Sequence, residues 1–188
     1  MKLAFLLASA ATLFAAPYQI GSKVDDFRLT DLKGNPVEYS SLKGNVTVVT
    51  FISATCPVSN AYNDRMRALF ADYSGRGVKF VFVNANQNEP ASKVEEHSRS
   101  VGFEFPVFKD PNNVVADLFG AQVTPEAFLM DSSGTIRYHG AIDNSQNPAR
   151  ITARSLRDAL DAVLAGKAVS NQETKAFGCS IKRVKKTT

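Results

Sequence analysis

The sequence predicts an α/β domain built on one central mixed sheet with helices on both faces. Two observations carry most of that reading. Val46 to Ile52 and Val78 to Val83 are short, continuous runs of β-branched and aromatic residues, as in strands buried on both faces, and a stretch of helical periodicity separates them. Further on, Ala127-Phe128-Leu129-Met130 and Thr135-Ile136-Arg137-Tyr138 flank Asp131-Ser132-Ser133-Gly134, which is a β-hairpin signal. Strand, helix, strand implies parallel pairing through a right-handed crossover, and the later hairpin adds an antiparallel edge.

Length and composition agree with a single folded domain. The chain has 188 residues, 44% of them hydrophobic and 21% charged, enough to bury a core and too few for more than one ordinary domain. Disordered and fibrous classes are excluded. The net charge of +4 is small, and part of it sits at the extreme C-terminus in Lys182, Arg183, Lys185 and Lys186, so nucleic acid is not expected as a partner. With only two cysteines, Cys56 and Cys179, neither a disulfide-rich scaffold nor a four-thiolate zinc site can be built, and at most one internal disulfide.

Residues 1–16 read as a secretory signal. Lys2 is followed by an apolar run from Leu3 to Phe14 and then Ala15 and Ala16. The run is short for a bilayer span, and cleavage after Ala15 would put Leu13 and Ala15 at the two recognised positions. An uncut membrane anchor is the competing reading; with cleavage no stable span remains, and the mature chain is expected in the periplasm or outside the cell. The domain then covers 17–166, with a tail, 167–188, that carries Cys179.

The mature chain opens with Val24, Phe27, Leu29 and Val37 around the turn-rich Thr30-Asp31-Leu32-Lys33-Gly34-Asn35-Pro36, a small N-terminal hairpin. Ser40 to Gly44 is a short turn before the central strand Val46 to Ile52. Tyr62, Met66, Leu69, Phe70 and Tyr73 keep helical spacing, so a long helix should begin directly after Cys56-Pro57 and stop before Gly75. A second buried strand follows at Val78 to Val83, then a polar loop from Asn84 to Pro90 and a helix from Ala91 to Ser100. Phe105 to Phe108 is a short extended piece, and Asn113 to Phe119 is helical up to Gly120. After the hairpin, Leu156, Leu160, Val163 and Leu164 make one apolar stripe of a helix from about Ile151 to Leu164. From Ala165 the chain is polar and loop-like, and long enough to fold back across the domain.

The sharpest chemical feature is Thr55-Cys56-Pro57-Val58-Ser59. It puts a thiol at the carboxyl end of a central strand and at the entry to a helix, where unpaired N–H groups and partial positive charge stabilise a thiolate. Pro57 suits the first helical turn because its missing N–H would have no partner there. A buried, inert cysteine is the competing reading. Thr124-Pro125-Glu126 then places a proline directly before a strand.

In that pair of features the chain resembles the thioredoxin superfamily, and its opening from Gly21 to Asp31 resembles the exported, peroxiredoxin-like redoxins related to AhpC/TSA. Cys-Pro-Val-Ser-Asn-Ala-Tyr at 56–62 and Gly-Cys-Ser-Ile-Lys at 178–182 resemble a group of these with a single active-site cysteine. The resemblance implies a thioredoxin-like fold, a cis Thr124–Pro125 bond facing Cys56 across a substrate groove, and thiol-disulfide oxidoreductase activity through Cys56. It also implies a protein disulfide or thiol as substrate, a redox partner protein, and no cofactor. Catalysis would rest on Cys56, Cys179 and Pro125, with Thr55, Pro57, Ser59, Asn60 and Thr124 contacting substrate. Ser59 stands where thioredoxins carry a second cysteine, and a hydroxyl cannot resolve a mixed disulfide. Ser59 and Asn60 would instead polarise the sulfur, or Ser59 would simply cap the helix.

Peroxide reduction by Cys56 is the alternative enzyme reading. Ser53 sits at the peroxiredoxin hydroxyl spacing, but Val49 stands in the proline's place and no arginine lies near Thr124-Pro125. A redox-sensing or copper-binding module is the non-enzymatic alternative, although one nearby thiolate and an unplaced His139 give few ligands. His97, among charged residues, reads as a solvated helix residue. Cys179 has three readings: a resolving thiol, a static bridge to Cys56, or a bond to another protein. An even cysteine count in an exported chain favours an internal bridge, and the basic Lys182 and Arg183 would favour its thiolate.

Overall fold

The computed structural model describes residues 16–185. The expected signal segment, up to Ala15, lies outside the described residues, as do residues 186–188.

The elements are β1 (Arg28–Thr30), β2 (Pro36–Glu38), β3 (Val46–Phe51), α1 (Pro57–Asn60), α2 (Asn63–Ser74), β4 (Val78–Asn84), α3 (Ala91–Ser100), β5 (Val107–Lys109), α4 (Val114–Phe119), β6 (Val123–Thr124), β7 (Glu126–Met130), β8 (Ile136–Gly140), α5 (Ser155–Leu164) and β9 (Cys179–Ser180). Seven strands form one sheet in the order β2-β1-β5-β4-β3-β7-β8, and β6 and β9 form a separate two-stranded ribbon. β3 pairs parallel with β4 and antiparallel with β7, so the strand leading to Cys56 is central in a mixed sheet, as expected from its uninterrupted apolar run.

Side chains alternate along β3 and divide the core in two. Val48 faces the layer of α2, α3 and α5 with Met66, Leu69, Tyr73, Val94, Leu156 and Leu160. Val49 and Phe51 face the opposite layer, with Phe27, Tyr39, Val115, Phe119 and Phe128. α4 is seated by Asp110, whose carboxylate accepts from the N–H groups of Val115 and Ala116 at 3.0 and 2.8 Å.

Two helices depart from the periodicity. The long helix expected after Cys56 is interrupted: α1 ends at Asn60, and the N–H of Tyr62 bonds the carbonyl of Ser59 in a tighter turn before α2 begins. At the break the buried Tyr62 donates its hydroxyl to Asp143 at 3.0 Å, and Asp143 pairs with Arg65 at 2.8 Å. α5 starts at Ser155 rather than Ile151. Asn144 is the reason, since its side-chain carbonyl accepts from the N–H groups of both Thr152 and Ala153 and holds that stretch extended.

The tail from residue 167 runs back over the domain. Gln172 and Thr174 exchange backbone hydrogen bonds with His139 on the edge strand β8. The crossing is close: a Cβ on Gly140 would overlap Thr174. The tail then reaches β9, and Ile181 enters the second core layer.

Candidate active site

The loop between β3 and α1 is built around a buried carboxylate. Glu89, from the loop after the neighbouring strand β4, is 1% exposed. One oxygen accepts from the hydroxyls of Ser53 (2.6 Å) and Thr55 (2.5 Å) and from the N–H of Thr55 (3.3 Å); the other accepts from the N–H of Ala54 (2.8 Å) and the amide of Asn84 (2.5 Å). Burial pushes this carboxyl up, but the bonds from Ser53, Thr55, Asn84 and the Ala54 N–H outweigh it and hold it below the ordinary glutamate value. Ser53 passes the constraint on, because its oxygen accepts from the N–H of Cys56 at 3.0 Å. Beneath the loop, the Lys109 ammonium bonds Asn84, the carbonyl of Asn86 and the carbonyl of Glu89 at 2.5, 2.9 and 2.7 Å. Burial lowers the Lys109 pKa, and Glu89 and Asp110 oppose that shift.

Cys56 is thereby fixed as the residue that caps α1. Its sulfur accepts from the N–H of Ser59 at 3.3 Å and lies 3.5 Å from the carbonyl oxygen of Thr124. The Thr124–Pro125 bond is cis. On the far side of that proline, Glu126 is buried; one oxygen accepts from the N–H groups of Gln122 and Val123 at 2.7 and 3.0 Å, and the other meets Nε2 of His139 at 2.6 Å. Burial raises the Glu126 pKa, and the His139 and backbone bonds more than offset it, for a net lowering. His139 in turn stacks on Phe128, with ring centroids 4.3 Å apart.

The tail closes the site. β9 pairs antiparallel with β6, Thr124 opposite Cys179 and Val123 opposite Ser180. Cys179 forms a disulfide with Cys56 across 123 residues, with Cα atoms 5.8 Å apart. Before β9, Phe177 packs edge-on against Tyr62. After it, Ile181 bonds the carbonyl of Gln122, Lys182 bonds Asn86 and Gln87, Val184 bonds Asn113, and Arg183 reaches Asp117 and the carbonyl of Ala121.

The AhpC/TSA family model matches residues 20–139, which include Cys56, the Thr124–Pro125 turn and Glu126. The chain belongs to the AhpC/TSA family. Within its wider circle of relatives, the chain is 30% identical over 116 residues to a protein of Halalkalibacterium halodurans named thiol-disulfide oxidoreductase ResA; the match covers 62% of this chain and 65% of that one. It therefore spans just under two thirds of that relative. The structure is similar to that of an uncharacterised conserved protein of Geobacillus kaustophilus, with TM-score 0.83 and 30% identity over 90% of this chain and 94% of that one. It also resembles the thioredoxin domain of a Bacteroides vulgatus thiol-disulfide oxidoreductase, with TM-score 0.55 and 20% identity over 63% of this chain and 86% of that one, a likeness of fold. The fold of this AhpC/TSA protein is thioredoxin-like.

The expected site residues converge, with adjusted parts. Thr55 and Pro57 are exposed on either side of the buried Cys56, and Thr124 forms the facing wall. Ser59 offers the sulfur its backbone N–H, while its hydroxyl accepts from the N–H of Ser53 at 3.1 Å. Asn60 turns its amide to the carbonyl of Ala54 at 3.2 Å, so it braces the loop instead of polarising the sulfur. Arg183 pairs with Asp117 and the carbonyl of Ala121, and so anchors the tail after β9. His97 is not simply solvated: it packs edge-on against Phe103, and burial lowers its pKa against the opposing charge of Glu89. Among the described residues no group of three or more His, Cys, Asp or Glu side chains is placed to hold a metal ion.

Glu89, Lys109, Glu126 and the engagement of His139 escaped sequence reasoning. Lys109 is the last residue of β5, and a lysine directly after the apolar run Phe105 to Phe108 was the available signal, whereas Glu89 sits five residues past β4 in a polar loop that gives no such cue.

Proposed function

We propose that the protein is an exported thiol-disulfide oxidoreductase whose redox pair is Cys56 and Cys179. The Cys56–Cys179 bridge carries this reading, since it joins a sulfur at the mouth of α1 to a tail residue lying beside Thr124-Pro125. The name of the H. halodurans relative supports the same reaction class. In the reduced protein β9 parts from β6, and the Cys56 thiolate attacks a substrate disulfide. One substrate sulfur leaves as a thiolate, and the other stays bonded to Cys56. The Cys179 thiolate then attacks Cys56, the mixed disulfide breaks, and the substrate departs as a dithiol once protonated. Electrons have passed from the two protein thiols to the substrate, and the bridge is the product.

In this reading Ser59 N–H receives charge on the Cys56 sulfur, Glu89 and Ser53 hold the Cys56 backbone in place, and Thr55, Pro57, Thr124 and Pro125 form the contact surface for a protein substrate. Residues 17–166 are the working domain and 167–188 the tail. The composition of residues 1–16 supports export to the periplasm or beyond, and no helix among the described residues is long and apolar enough to cross a membrane.

The test is disulfide exchange with a peptide disulfide. The wild-type protein should reduce it and end bridged, Cys56→Ser should be inactive, and Cys179→Ser should accumulate a mixed disulfide on Cys56. Unchanged exchange in Cys56→Ser overturns the reading. Peroxide is a second oxidant suggested by AhpC/TSA membership, and it would yield a Cys56 sulfenate that Cys179 condenses to the same bridge with loss of water. A Cys56 oxidation rate no better than that of a free thiol excludes it. Cell fractionation, with N-terminal sequencing of the mature chain, tests export.

A further inference from the structure

The loop from Asn84 to Pro90 holds both cysteine segments. On one side Glu89 takes the hydroxyls of Ser53 and Thr55 and the N–H of Ala54, and Ser53 takes the N–H of Cys56. On the other side the loop grips the tail three residues past Cys179. There the side-chain carbonyl of Asn86 accepts from the N–H of Lys182 at 2.7 Å, and the N–H of Gln87 donates to the Lys182 carbonyl at 2.8 Å. Asn113 adds a second tie, its amide donating to the carbonyl of Ala85 and its side-chain carbonyl accepting from the N–H of Val184. Two sulfurs separated by 123 residues thus hang from one short loop.

That loop has little apolar packing of its own. Gln87, Asn88 and Pro90 are exposed, and the buried Asn86 and Glu89 are polar. Lys109 is what fixes it. An ammonium has three donors, and all three are spent here, on the side-chain carbonyl of Asn84 and on the backbone carbonyls of Asn86 and Glu89. Asn86 and Glu89 are the two residues whose side chains reach the tail and the Cys56 segment. Lys109 meets them from the end of β5, which pairs with β4 on one side and β1 on the other, so the pin is set in the sheet. Three residues of extended chain span at most about 10 Å. With Lys182 held, the Cys179 thiol stays within that reach of its anchor when the bridge opens, and a thiol so confined meets Cys56 at high effective concentration.

We propose that Lys109 is a positioning residue for the redox pair: by pinning the loop that grips both segments, it sets the effective concentration of Cys179 at Cys56 and so how strongly the bridge is favoured. This rests on the oxidoreductase reading above and adds the group that poises it. Lys109 acts through Asn86 and Gln87 on the tail and through Glu89 on the Cys56 loop.

The experiment equilibrates the protein in mixtures of reduced and oxidised glutathione. Oxidised glutathione takes two electrons and two protons from Cys56 and Cys179 and leaves as two glutathione thiols, so the bridged fraction, read by acid quench and alkylation, gives the effective concentration in the folded protein. Lys109→Met keeps an apolar stem and removes the three donors; the constant should fall about tenfold or more, the scale of a lost hydrogen bond to a charged group. Asn86→Ala deletes the side-chain bond to Lys182 and should lower the constant severalfold by itself. The double variant should fall by clearly less than the product of the two single effects, because Lys109 acts in part through Asn86. Asp131→Ala is the structural control. It deletes a carboxylate bonded to Ser133, Thr135 and Arg137 at the end of β7 away from Pro125, and should leave the constant unchanged. An unchanged constant in Asn86→Ala, or single effects that simply multiply, overturns this inference and leaves the oxidoreductase reading standing. The Asn86→Ala arm decides the matter even where Lys109→Met does not fold. A wild-type bridge that resists even excess dithiothreitol overturns both.

Discussion

Thr124 and Cys179 share one rung of an antiparallel ribbon, which places the residue before Pro125 directly opposite the cysteine that bridges to Cys56. The rung depends on Gly178. A Cβ there would overlap the carbonyl oxygen of Thr124, and backbone cannot swing aside as a flexible side chain can. Gly178→Ala should therefore push β9 off β6, at a cost of about 1–3 kcal/mol to the docked tail. The expected readout is a slower, incomplete bridge on oxidation, seen as residual free thiol. Gly75→Ala is the control, because a Cβ there meets nothing within 4 Å, and it should bridge as wild type does.

The bridge should also stabilise the domain as a whole. It closes a separation of 123 residues, and restricting so long a loop in the unfolded chain typically contributes about 2–4 kcal/mol. Urea unfolding of oxidised wild type should give a midpoint clearly above that of Cys179→Ser, while the two curves under reducing conditions should nearly coincide. Coincident midpoints under oxidising conditions would show that the tail linkage does not restrain the unfolded chain.

The junction between α1 and α2 makes a separate forecast. Asp143 is 4% exposed and accepts from both Tyr62 and Arg65, so Asp143→Ala strips the charge partner from a guanidinium that also stacks over the Tyr62 ring at 3.5 Å. Breaking one side of a buried ion pair typically costs ~3–5 kcal/mol. Thermal unfolding should report a loss of that order. A change within experimental error would mean that the Arg65 bonds to the carbonyls of Ala61, Ser145 and Gln146 suffice alone.

What the residues reveal in advance follows from how local each signal is. The runs that became β3 and β4, and the hairpin of β7 and β8, announce themselves because strand burial depends on neighbouring side chains. Cys56-Pro57 likewise marks the helix entry on its own. The break at Ala61-Tyr62 and the late start of α5 were hidden because Asp143 and Asn144 enforce them from a distance. Glu89 was hidden for the same reason. Its partners Ser53, Ala54 and Thr55 lie 34 to 36 positions away and meet it only because β3 and β4 pair in parallel.

Glu89 supports a pH prediction with a definite sign. Its native pKa lies below the ordinary glutamate value of 4.5, so the folded state holds the proton less tightly than the unfolded chain does. The stability it contributes is then complete above that ordinary value and is lost as pH falls through the lower native value. Glu89→Gln presents an NH2 where donors from Ser53, Thr55, Ala54 or Asn84 already converge, leaving at least one buried donor unpaired. The expected cost at neutral pH is about 1–3 kcal/mol. The variant should lose less further stability on acidification than wild type, so that the two unfolding free energies converge as Glu89 protonates. Urea titrations at neutral pH and at several points below pH ~4.5 would measure both limbs. Parallel curves that never converge would mean that the carboxylate's charge does not set the acid limb. Because Ser53 links Glu89 to the Cys56 N–H, the same variant should also slow bridge formation, tying the stability of the loop to the reactivity of the sulfur.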